Sequence, residues 1–365
     1  MSRSLSRNGG HTPTCAVIEH TRRHGETLPT LIWCLNDLGI GVHLFASRRV
    51  RLDDPFAYTT GLQFDRPSLG TYWRSRFGGF HGYDFVLFNT LERRQLIKLA
   101  CASKVPVVAV MHHGANLAKP EYSSFFSAGN RRPLVLAKHV AELAFSRCEV
   151  SWIAPVLIGD ADRVTRRRDP SAVLRRFCVQ GYLSFAKRNY PSLLDAAEEL
   201  ASEGGTPFKI VVVGRDHPDG PEFKAQVAAR GLSSFFEFSD FPLSYEKYYA
   251  LVGSTGFILP LVDSSSQRFE RYYYDKITSS LSLSLATAIV PIVERRLAEL
   301  YGISDQAILY DAGHLADGIR TALTIDQSRY DRLRVGLGQK REMLLRESTA
   351  NLRQLLIDLS VRLDA

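Results

Sequence analysis

At 365 residues the chain exceeds one typical core and suits two domains of roughly 150 residues each. Hydrophobic residues at 45% and charged residues at 23% exclude a disordered chain, and no apolar run approaches the ~20 residues of a membrane-spanning helix. The net charge of +8 is uneven: residues 1–169 hold 23 Lys and Arg against 14 Asp and Glu, and the remainder 23 against 24. A basic first half predicts an anionic partner there, such as a membrane surface, a nucleic acid or a phosphorylated acceptor. Cys15, Cys34, Cys101, Cys148 and Cys178 are scattered without a CxxC pair and are expected to be buried thiols in a reducing compartment.

In chain order, residues 1–14 read as a polar tail without the apolar core of a secretory signal. Residues 15–20 form a short apolar strand that empties into a polar loop carrying His20, His24 and Glu26. A helix pattern through Leu31, Ile32, Leu35 and Leu38 leads to a second strand at 41–46, a unit that argues for a parallel sheet. Residues 48–82, rich in Arg, Gly and aromatics, show no period and are expected to be an irregular excursion. A strand at 83–88, a helix at 91–102 and a strand at 105–111 follow, the last ending in His112-His113-Gly114. Ligands of open α/β sheets collect at the carboxyl ends of strands, so these two imidazoles are candidate site residues. Residues 133–146 read as helical and 149–155 as a strand; the charged stretch 159–170, broken by Gly and Pro, is the expected linker.

The alternation then restarts, with a strand at 177–181, a helix at 190–202, and a nearly all-apolar strand at 208–214 that requires cover on both faces. A helix at 221–230, a strand at 235–238, a helix at 245–251 and a strand at 256–260 follow. They lead into Gln267 to Pro291, read as a polar loop ending in Lys276, a Thr278-Ser279-Ser280 cap, and an apolar helix closed by Pro291. Beyond it come residues 297–301, a strand at 307–310, a helix at 314–323 and a long terminal helix from Arg329. The expected fold is α/β, with two Rossmann-like domains facing across a cleft at 15–158 and 171–345. Residues 346–365 are a terminal helix expected to pack back on the first domain.

A helix start with unpartnered N–H groups and a lysine beside it suits a phosphate. Lys187 and Arg188 add cations from a loop at the same sheet edge, and such convergence suits a diphosphate whose charge grows as a bond to it breaks. Neither half has GxGxxG after its first strand, which disfavours NAD and FAD; no Walker loop, HExxH, GxSxG or metal-ligand spacing occurs.

The run GYLSFAKRNYPSLLDAAEEL, then VVVGRD, then FEFSDF with PLSYEKYYALV, then the Lys276 loop, helix and PIV strand resembles the donor domain of GT-B glycosyltransferases. The stretch resembles glycosyltransferase family 4 and related groups over roughly residues 175–345, and in outline through the strand ending in His112. The resemblance implies a nucleotide-diphosphate-sugar donor as substrate, no resident cofactor and no required metal. The donor-binding candidates are Gly181, Lys187, Arg188, Gly214, Arg215, Lys276, Ser279 and Ser280; of the family's own residues the resemblance carries over two, placing Arg188 at the diphosphate-binding lysine and His112 at the sugar-contacting histidine. The family's arginine after the strand glycine is Tyr182 here, and its EX7E glutamates fall on Lys276 and Ser284.

His112, His113 and Glu26 are the catalytic candidates, with Glu26 first among possible bases. The expected activity is hexosyl transfer to a glycan or lipid-linked acceptor in bacterial-type surface polysaccharide or glycoconjugate synthesis. The expected location is cytoplasmic and peripheral on the inner membrane face, with no nucleic-acid partner because the Arg pairs are dispersed. The alternative is a catalytically silent relative that binds a nucleotide sugar or glycan as a scaffold.

Overall fold

The computed structural model describes residues 12–21, 24–47, 56, 61–144, 149–157, 173–216, 218–239 and 243–363. The expected linker at 159–170, most of the tail and Cys148 lie outside them.

Two six-stranded sheets, parallel throughout, make up the α/β architecture. In the first, β1 (Thr14–Glu19), β2 (Gly41–Ala46), β3 (Phe85–Phe88), β4 (Val107–Met111), β5 (Arg131–Val135) and β6 (Ser151–Trp152) lie in the order β2-β1-β3-β4-β5-β6. Helices α1 (Leu28–Asp37), α2 (Leu69–Phe77), α3 (Arg94–Cys101), α4 (Pro120–Phe126) and α5 (Lys138–Leu143) connect them. The second holds β7 (Arg176–Gln180), β8 (Lys209–Val213), β9 (Phe236–Phe238), β10 (Phe257–Ile258), β11 (Val290–Glu294) and β12 (Ile308–Tyr310) in the order β12-β11-β10-β7-β8-β9. Its helices are α6 (Tyr190–Ser202), α7 (Gly220–Ala229), α8 (Tyr245–Gly253), α9 (Ser279–Thr287), α10 (Arg295–Tyr301) and α11 (Leu315–Leu323). Strands such as FVLF and VVAVM are buried along their whole length because helices cover both faces of a parallel sheet.

Helix α12 (Gln327–Asp358) serves both cores. Its first turns sit on the second sheet, where Tyr330 donates to Gly256 O at 2.9 Å. Farther on, Ser348 accepts from Ala154 N at 3.0 Å, Asn351 donates to Trp152 O at 3.1 Å, and Leu352, Leu355 and Leu356 enter the first core.

Four sequence expectations are corrected. The 48–82 stretch contains α2, started by Ser68, whose hydroxyl accepts from Thr71 N. Residues 133–146 are not one helix: Pro133 lies in β5 opposite Ala109, and helix begins only at Lys138. An unbroken apolar run such as Pro-Leu-Val-Leu-Ala cannot by itself separate a buried strand from a helix. The loop before Lys276 is a 3₁₀ helix over Gln267–Tyr273, and α9 ends at Thr287 through a left-handed Ala288, leaving Pro291 inside β11. Cys101 is exposed and takes Arg131 Nη1 at 3.8 Å, whereas Cys15, Cys34 and Cys178 are buried.

Candidate functional site

On the second half, β7 runs into Gly181 at φ +104°, a backbone region that excludes most side chains. A Cβ on Gly214 would lie 1.8 Å from Gly181 O, so the ends of β7 and β8 meet backbone to backbone. Gln180, just before this turn, donates to Ser279 Oγ at 2.8 Å and Ser280 Oγ at 3.2 Å, and accepts from Tyr248 at 3.4 Å. The two serine hydroxyls therefore serve Gln180. Thr278 occupies the N-cap position of α9 without a side-chain cap bond, and its own N–H goes to Tyr301 at 2.9 Å. The expected hydroxyl cap is thus replaced by a helix start without a side-chain cap, tied to β7 through Gln180.

Lys276 sits half-buried, its ammonium 3.9 Å from the Tyr272 ring centroid. Burial pulls its pKa down, the Arg271 and Lys187 cations push the same way, and Asp275 opposes them. Lys187 holds its ammonium 4.8 Å from the ring of Tyr182, the residue standing where an arginine was expected, and Tyr272 bonds Lys187 O at 3.4 Å. Arg188 points elsewhere: it is 6% exposed, donates to Pro260 O at 2.8 Å, and leaves its buried Nε without a partner. Its Nη2 lies 2.7 Å from where a Cβ on Gly181 would stand, so it underlies the glycine turn. Arg215 is exposed at the end of β8. Ser284 is fully buried within α9 and donates to Ile289 O at 2.7 Å.

On the first half a fully buried Glu19 closes β1. It accepts from Asn89 Nδ2 at 2.5 Å, from Thr90 Oγ1 at 3.0 Å and from Thr21 N. Burial raises its carboxyl pKa and these donors offset part of that rise. His112 is buried, with Nε2 2.8 Å from Asn89 O and its ring stacked on His24 at 3.6 Å. Nε2 must carry the proton in that bond, which leaves Nδ1 as the acceptor of a neutral ring; burial lowers its pKa to about 4. Glu26, expected in a solvated loop, is half-buried, and burial first, with the Glu19 charge adding, raises its pKa to about 7. Glu19, Asn89 and Thr90 escaped the sequence reading. Their signal was polar residues terminating apolar strands, in IEH and FNT.

The two halves meet at Asp275. Its carboxylate, 1% exposed, pairs with Arg271 and accepts Ala115 N–H at 2.5 Å, and its carbonyl accepts Gly114 N–H at 2.7 Å. His113 consequently faces Asp275, Arg271 and Lys276; burial lowers its pKa, the Glu92 and Asp275 carboxylates raise it, and the two cations lower it. Across the same interface Tyr248, its phenol pKa raised mainly by burial, feels the charges of Arg188 and Glu26. His113 and Lys276 thus come together where the halves meet, with Lys187 close enough to act on Lys276, Glu26 close enough to act on Tyr248, and Ser279 and Ser280 joined to β7 through Gln180. Arg188 lies against the Gly181 turn, and Arg215 is exposed at the end of β8.

No family model and no curated protein matches the sequence. Solved structures do match its fold. A glycosyltransferase from Rickettsia africae superposes with a TM-score of 0.64 at 11% identity, over 96% of this chain and 99% of that one. Anabaena HepE, in complex with UDP and glucose, gives 0.59 at 15% identity over 94% and 99%. A lipopolysaccharide outer core galactosyltransferase, WaaB in its apo form, gives 0.54 at 12% identity over 94% and 99%. The architecture is GT-B: two Rossmann-like sheets across a cleft. Among the described residues no helix is long and apolar enough to cross a membrane.

Proposed function

We propose that this chain is a glycosyltransferase that moves a hexose from a nucleotide-diphosphate sugar to a glycan or lipid-linked acceptor. The observation that carries this reading is the grouping of Lys276, Arg271 and Lys187 beside a helix start without a side-chain cap, facing His113 and Glu26 across the cleft. Cations and helix N–H groups suit a diphosphate leaving group that gains charge as the glycosidic bond breaks. The diphosphate lies against the Ser279-Ser280 turn, which Gln180 ties to the Gly181 and Gly214 strand ends, themselves packed backbone to backbone. His112 offers Nδ1 to a hydroxyl of the donor sugar, and Glu26, with a pKa of about 7, is suited to taking a proton from the acceptor hydroxyl. No metal is required, because the cations named supply the compensating charge. The site operates on the cytoplasmic face of a membrane, in synthesis of a bacterial-type surface polysaccharide or glycoconjugate.

One observation favours the second reading, a silent nucleotide-sugar scaffold: where the family carries its second glutamate, Ser284 is buried and engaged with Ile289 O. A thermal-shift screen of nucleoside diphosphates, paired with product detection across a panel of nucleotide sugars, separates the two. Stabilisation with turnover supports the transferase. Stabilisation without turnover supports the scaffold, and neither response overturns both.

A further inference from the structure

We propose that the outer face of α2 is a docking surface for an anionic lipid bilayer. Leu69, Trp73 and Phe77 stand four residues apart and so share one helix face, and they are 69%, 40% and 82% exposed. Only eight large hydrophobic residues are exposed among those described, and three of them occupy this nine-residue helix. The Trp73 and Phe77 rings lie 5.8 Å apart at 25°, and the Arg76 guanidinium stands 4.8 Å from the Trp73 ring centroid.

The helix is fastened from behind, so its apolar stripe is a fixed feature. Tyr72 is 7% exposed and packs on Phe45 and His20, each with ring centroids 5.4 Å away. Just after the helix, Phe80 is fully buried. Along the same stretch the charge is mostly positive: from Asp65 to Lys98 the chain carries six Lys and Arg against Asp65, Asp84 and Glu92. Arg74, Arg76, Arg93 and Arg94 are exposed, and Arg76 and Arg93 both act on His20 at the end of β1.

Aromatic and aliphatic side chains flanked by arginines fit the boundary between headgroups and acyl chains, where rings enter apolar material and guanidinium groups meet anionic headgroups. A protein partner fits less well. Three side chains fall short of the ~800 Å² per partner that a stable interface buries, and a second copy would set Arg74 and Arg76 against their own kind.

Because the Tyr72 side of α2 rests on His20, docking brings the first-half rim of the cleft to the headgroup layer. That consequence deepens the lipid-linked acceptor reading and rests on it; the docking itself does not.

The experiment is co-sedimentation of the full chain with vesicles of phosphatidylglycerol and phosphatidylcholine, or of phosphatidylcholine alone, with tryptophan emission read in parallel on the parent and on Trp73→Phe, whose difference isolates Trp73 from Trp33 and Trp152. Binding only to the anionic vesicles, weakened by salt and accompanied by a blue shift, is expected. Trp73→Ser/Phe77→Ser should lose at least about tenfold in binding. Arg74→Gln and Arg76→Gln should each lose about fivefold. All these variants should keep the parent melting temperature and nucleoside diphosphate response. Vesicle binding unchanged in Trp73→Ser/Phe77→Ser overturns the proposal. So does a dimer in lipid-free solution that this double variant converts to monomer. Failure of every nucleotide sugar to turn over would sink the transferase reading and leave the vesicle result standing.

Discussion

Replacing Asp275 tests whether the donor loop is held in register by the first half. Alanine there strands the Ala115 N–H and removes the partner of Arg271. A hydrogen bond to a charged acceptor is worth roughly 1.5–3 kcal/mol. Breaking a buried ion pair can cost about 3–5 kcal/mol, but the Arg271 side chain is 48% exposed and regains water, so that pair adds little. The expected loss for Asp275→Ala is about 2–3 kcal/mol, which lowers the melting temperature by about 4–12 °C for domains of this size. Asp275→Asn keeps an oxygen for Ala115 and should lose about half as much. Because Lys276 follows directly and His113 precedes Gly114, nucleoside diphosphate affinity should fall in the same order. Calorimetry and nucleotide titration on both variants make the comparison. If Asp275→Ala melts with the parent and binds nucleotide equally well, the contact contributes nothing and the cleft is held by other means.

Lys276→Ala should weaken nucleoside diphosphate binding by about 1.5–3 kcal/mol, the range for a charged hydrogen bond, with the melting temperature of the unliganded protein retained; isothermal titration decides it. His112→Ala should lower turnover far more than nucleotide affinity, since its Nδ1 would meet the sugar and not the diphosphate; equal losses in both would refute that placement. Two groups shifted by burial give opposite pH dependences. Glu26, with a folded pKa of about 7 against an ordinary 4.5, favours folding when protonated, so its contribution of about 1–3 kcal/mol is present below pH 4.5 and lost as pH rises through 7. His139, lowered by burial to about 4 from 6.5, contributes above pH 6.5 and loses that contribution as pH falls through 4. Glu26→Gln should therefore remove a decline in melting temperature between pH 4.5 and 7, and His139→Gln a decline between pH 6.5 and 4; scans that overlay the parent in both windows would discount both shifts.

Much of the fold was legible because it is written locally. A strand covered on both faces must be apolar throughout, as VVAVM and KIVVV are, and a helix on a sheet must repeat its apolar residues near every fourth position, as Tyr190–Ser202 does. Those two periods gave the alternation, and the alternation required parallel sheets. At Arg131–Val135, part of a run read as helical, pairing with β4 made it a strand. Helix α2 was hidden for a related reason: its outer face is as apolar as its inner one, so it shows no amphipathic pattern facing a core. The chemistry of the candidate site was legible by residue type, but its wiring was not. That Ser279 and Ser280 answer to Gln180 and not to their own helix, that Arg188 lies under Gly181, and that Asp275 bonds an amide 160 residues away depend on which strand ends the packing brings together. Local sequence sets how most segments fold; contacts between distant segments arise only when two cores are packed, and no periodicity records them.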